Sequence, residues 1–92
     1  MSEFDVRQVP QFRRGYRLQW ESAQGCHVLL YPEGMIRLNE SAGAIANQID
    51  GQRDVATIIH NLNALYPGAP ELAEDVVQFM EVANEKFWIE LR

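Results

Sequence analysis

"LLYPEGMIRLNESAGAI" (residues 29–45) sets two short apolar runs on either side of Pro32-Glu33-Gly34 and then leads directly into a helix start. Proline and glycine in so short a gap predict a tight turn, so the flanking runs read as the arms of a hairpin. Asn39 is a good N-cap, and Ala42, Ile45, Ala46 and Ile49 follow at helical spacing. The stretch therefore predicts a sheet edge lying beside a helix.

Upstream, "YRLQW" (16–20) places Tyr16, Leu18 and Trp20 on one face and Arg17 and Gln19 on the other, the alternation of a half-buried strand. "ESAQG" is its turn. "HVLLY" (27–31) is apolar on both faces, as a central strand should be. With hairpin connections the spatial order is one, two, three. "MIRL" (35–38) then lies at an edge, with half of its backbone donors and acceptors free. Residues 1–14 are polar, contain Pro10 and show no sustained period, so they read as an extended or loosely attached arm. Residues 15–92 form one domain.

Downstream, Asp50-Gly51 is expected to end the first helix, because glycine takes the left-handed cap conformation at little steric cost. Asp54 caps a second helix whose Val55, Ile58, Ile59, Leu62 and Tyr66 form one stripe. Pro67, Gly68 and Pro70 break the chain, and a third helix should run from about Glu71 to Asn84. Its acids Glu71, Glu74, Asp75, Glu81 and Glu85 gather on one side. The opposite apolar arc is about 160° wide, more than the ~100° needed to pack one surface. Leu72, Val76, Phe79 and Ala83 are assigned to the core. That leaves Ala73, Val77 and Met80 on a shoulder, either the floor of a groove or a contact for the N-terminal arm or another copy. "FWIEL" (87–91) closes the chain as a short strand. The outline is an α+β, winged-helix-like fold: a three-stranded antiparallel N-terminal sheet, three helices and a short C-terminal strand.

Ninety-two residues, 47% hydrophobic and 23% charged, suit one folded domain. The net charge of -5 is uneven: residues 1–37 sum to +1 and residues 38–92 to -6. An acidic helical half disfavours phosphate backbones as ligands, since nucleic-acid affinity comes largely from Lys and Arg that displace counterions. The alternative of a winged-helix DNA-binding protein meets the same objection. Its recognition helix would be "DVATIIHNLNAL", which has no Lys or Arg. Cys26 is the single cysteine, so no intramolecular disulfide forms and a reducing compartment is indicated. The start lacks the apolar core of a signal peptide and no run approaches ~20 apolar residues, so a cytoplasmic protein without a membrane span is expected.

The chain carries no phosphate loop, zinc signature or serine elbow. His27 and His60 are too far apart for a local metal motif, and Cys26 has no sequence-evident base. No cofactor, metal or catalytic residue is expected.

"RLQW", "HVLLYPEGMIRLNESAGAI", the "DG" at 50–51, "DVATIIHNL", "YP" at 66–67, "EDVVQF" and "FWIEL" together resemble the PqqD family, the small protein D of pyrroloquinoline quinone biosynthesis. The likeness runs from about Pro10 onward, and "LLYPEGMIRLN" is its most specific piece. The sequence departs from the family pattern at Phe87, where a glycine before the tryptophan is expected, and at Asp54, where a threonine is more usual. The resemblance implies a winged-helix-like recognition element for ribosomal peptides and a chaperone role without catalysis. Such a protein holds the precursor peptide PqqA and delivers it to PqqE, a radical S-adenosylmethionine enzyme that crosslinks a glutamate to a tyrosine.

In related domains the peptide adds a strand beside the third strand and lies against the third helix. Here those are Gly34 to Leu38 and Glu71 to Asn84. The expected peptide-binding residues are thus Gly34, Met35, Ile36, Arg37 and Leu38 at the edge, with Ala73, Val77 and Met80 as an apolar floor. Glu33 and Asn39 are assigned to turn and cap. Oligomeric state is open, and an arm of some fourteen residues could exchange between two copies of the chain.

Overall fold

A computed structural model describes residues 4–92. The elements run β1 (Pro10–Phe12), β2 (Arg17–Glu21), β3 (Cys26–Tyr31), β4 (Gly34–Arg37), α1 (Glu40–Ala46), α2 (Val55–Leu65), α3 (Leu72–Glu85) and β5 (Ile89–Leu91). Strands β2, β3 and β4 form an antiparallel sheet in that order, with β3 central and β4 at an edge as hairpin connections predicted. Leu18, Leu29 and Ile36 stand opposite one another across it. Val28 and Leu29 project to opposite faces and both are buried, which accounts for the unbroken apolar run in β3.

A second, two-stranded sheet was not expected. Pro10–Phe12 pairs antiparallel with Ile89–Leu91, so the described part of the first fourteen residues is fastened to the far end of the chain and not loosely attached. Two further bonds hold this segment to α2. The N–H groups of Val55 and Ala56 donate to the carbonyls of Gln8 and Val6 at 3.0 and 2.8 Å. These are first-turn donors with no partner inside the helix, so the N-terminal segment satisfies α2 where its own turns cannot. The Asp54 carboxylate takes the next one, from Thr57, at 2.8 Å. The bonds from Thr57 hold the Asp54 carboxyl below the ordinary aspartate range. Residues 1–3, also part of the expected arm, lie outside the described residues.

Helix α1 ends at Ala46, earlier than the Asp50-Gly51 pair suggested. Gln48 and Ile49 turn tightly back onto the carbonyls of Ile45 and Ala46. The Asp50 side chain then accepts from the N–H groups of Gln52 and Arg53, and Gly51, at φ +79°, serves that turn. The described core is mainly helical: Ile45 and Ile49 beside Val55, Ile58 and Leu62 of α2, Val76, Met80 and Ala83 of α3, and Ile89 of β5. Phe4, Val6 and Phe12 pack against it from the N-terminal segment.

Candidate peptide-binding site

β4 follows a two-residue turn, Pro32-Glu33, and Gly34 is already its first strand residue, opposite Tyr31. Past Arg37, the N–H of Leu38 donates to the carbonyl of His27 at 3.0 Å. Hydrogen bonds in an antiparallel ladder alternate, so Leu38, Ile36 and Gly34 turn their main-chain groups toward β3. Met35 and Arg37 turn theirs outward. Among the described residues no main-chain bond from another segment reaches Met35 or Arg37. These two residues supply an open row of two donors and two acceptors. Their side chains are exposed, that of Ile36 is half-buried and that of Leu38 is buried.

At the C-terminal end of β4 the edge meets an open groove of about 390 Å³. Leu38 and Asn39 form one end, Ser41, Ala42 and Ile45 of α1 the base, and Asp75, Gln78, Phe79 and Val82 of α3 the far wall, with Trp88 behind. Phe79 and Trp88 meet with ring centroids 6.5 Å apart. Asn39 caps α1, its Oδ1 accepting from the N–H of Ala42 at 2.8 Å, so this side chain is spent on structure as expected. Val82 is 39% exposed, an apolar side chain left open to solvent on the groove side.

The three helix positions expected to floor the groove lie elsewhere. Met80 is fully buried in the core. Ala73 and Val77 line a shallow hollow with Phe4, Glu74, Gln78 and Glu81 on the other flank of α3. The excess width of the apolar arc is therefore real but divided. One shoulder, Ala73 and Val77, borders the N-terminal segment, and the opposite one, Phe79 and Val82, faces the groove, with Val76, Met80 and Ala83 between them as the core stripe. A helical wheel cannot say which shoulder a distant segment will occupy. The available signal was Asp75, Phe79 and Val82 at i, i+4 and i+7, a contiguous face whose apolar Val82 fell outside the arc drawn from sequence.

Among the described residues no group of three or more His, Cys, Asp and Glu converges, and no helix is long and apolar enough to cross a membrane. Cys26 lies partly buried in β3, and His27 meets Trp20 edge-on at 5.0 Å.

Residues 26–89 match the family described as coenzyme PQQ synthesis protein D (PqqD). A protein of Stutzerimonas stutzeri named "PqqA binding protein" is 62% identical over 92 residues, covering the whole of both chains. One of the same name from Azotobacter vinelandii is 55% identical over 91 residues, covering 99% of each. The solution NMR structure of the PqqD truncation of Methylobacterium extorquens PqqCD superposes with a TM-score of 0.79 at 30% identity, over 95% of this chain and 94% of that one. That truncation is described as a functional, stand-alone recognition element for ribosomally synthesized and post-translationally modified peptides.

Proposed function

The chain belongs to the PqqD family, and on that premise we propose that it is a cytoplasmic peptide chaperone. It binds the precursor peptide PqqA by strand addition and presents it to the radical S-adenosylmethionine enzyme PqqE, with no catalysis of its own. The observation that carries this reading is the outward main chain of Met35 and Arg37 beside an apolar groove.

An extended guest pairs with those two residues through main-chain bonds that are indifferent to sequence. Its side chains alternate, so those on the sheet's inner face are directed along Ile36 and Leu38 toward Phe79 and Val82. Affinity and selectivity thus come from different atoms. The Arg37 guanidinium offers a pairing for an acidic guest residue, worth under ~1 kcal/mol at so exposed a position.

Titrating isotope-labelled protein with PqqA tests the reading. Amide shifts and slowed hydrogen exchange should appear at Met35 and Arg37, with side-chain shifts at Phe79 and Val82. Shifts confined to the Ala73–Glu81 flank or to α2, with β4 unmoved, overturn it. Retention of PqqE on immobilised protein with and without PqqA tests the presentation step.

A further inference from the structure

We infer that the guest's contacts continue past the strand edge, across α1, into a second hollow where a basic residue of the guest sits against Asp75. The inference rests on the strand-addition reading above and adds to it the chemistry of the bound peptide.

A second hollow of about 320 Å³ shares Ser41, Ile45 and Asp75 with the groove beside Leu38, so the two adjoin across these residues of α1 and α3. The second hollow is walled by Leu62, Leu72, Pro70 and Tyr66, and Tyr66 is 48% exposed. A chain leaving the β4 edge at Leu38 therefore meets apolar surface on both sides of Asp75.

The charges along the two hollows have one sign. Asp75 and Glu40 are the ionisable acids that line the two hollows, and no Lys or Arg lines either. Neither carboxylate has an ion pair or side-chain hydrogen bond among the described residues. Asp75 is exposed to solvent. A guest that covers Phe79 and Ile45 on one side and Leu72 on the other removes that solvent, and a carboxylate stripped of water without a partner is costly. A guest carrying Lys or Arg at that point relieves the cost, and one carrying an acid or an apolar residue does not. Asp75 thus selects among peptides that would all pair equally well with the main chain of β4.

Asp75 also lies in the first turn of α3, where a carboxylate favours the helix by itself. That role is independent of the guest, so a charge-swap cycle separates the two. Calorimetry would measure PqqA binding to the wild-type protein, Asp75→Asn and Asp75→Lys, using peptides in which each Lys and Arg is changed in turn to Gln. One peptide position should cost about fivefold or more in affinity on the wild-type protein and nothing further on Asp75→Asn. Asp75→Lys should recover affinity when that same peptide residue is changed to Glu. If every peptide substitution costs the same on wild type and Asp75→Asn, the inference is wrong while strand addition stands. If Arg37→Pro leaves affinity unchanged in a folded protein, the strand-addition reading itself is wrong.

Discussion

The N–H of Leu38 donates to the carbonyl of His27 across 3.0 Å, and this bond decides which atoms of β4 are available to a partner. Shifted by one residue, the same strand would offer Ile36 and Leu38 to the outside and turn Met35 and Arg37 inward, exchanging the buried and exposed side chains as well. The edge chemistry follows from register, and register follows from the two-residue turn at Pro32-Glu33.

Proline substitution distinguishes the inner from the outer main-chain groups. Arg37→Pro or Met35→Pro removes an outward N–H and leaves the β3–β4 bonds in place, so binding of PqqA should fall at least tenfold with a small loss of stability. Ile36→Pro removes a bond to β3 and should lower the melting temperature sharply. Thermal melts paired with calorimetry check the contrast, and equal melting temperatures for Ile36→Pro and Arg37→Pro would mean the register is wrong.

Gly43 of α1 packs against His27 of β3. A Cβ built there would stand 2.9 Å from His27 Nδ1 and 3.3 Å from His27 Cβ. Alanine normally gains ~1 kcal/mol over glycine inside a helix. At this position the overlap should reverse the sign and cost about 1–3 kcal/mol, as overpacking does. Denaturant unfolding of Gly43→Ala measures it, and a stabilised variant would show that His27 yields freely.

Phe87 closes α3 in a conformation that suits glycine. Trp88 N–H donates to the Ala83 carbonyl at 2.9 Å and Phe87 N–H to the Asn84 carbonyl at 3.1 Å, the two bonds of a Schellman ending, with Phe87 at φ +63°. The Phe87 ring is 65% exposed, with Arg13 5.3 Å from its centroid. A left-handed non-glycine residue costs roughly 1–2 kcal/mol, and the exposed cation–π contact returns about 0.5–1. Phe87→Gly should therefore stabilise the fold by about 0.5–1 kcal/mol. Loss of stability on chemical denaturation would show that the ring holds β1 and α3 together more firmly than its exposure indicates.

Local chemistry made much of this protein legible from its sequence. Alternation in residues 16–20 and 35–38, the apolar run at 27–31, and the caps at Asn39 and Asp54 each act within a few residues, and each stands where the pattern put it. So does the edge position of β4, because hairpin turns leave the chain no other neighbour to pair with. What tertiary structure alone decided is how distant segments share surface. Pro10–Phe12 carries no strand pattern of its own and becomes a strand because Ile89–Leu91 arrives beside it. Val6 and Gln8 supply carbonyls that α2 lacks, and Phe4 borders the Ala73 and Val77 flank. With that flank taken, Met80 falls to the core and Phe79 and Val82 are left to face the groove. A helix's periodicity states how much apolar surface it has to bury; which part is covered by its own chain depends on contacts between residues some seventy positions apart, and no local pattern encodes them.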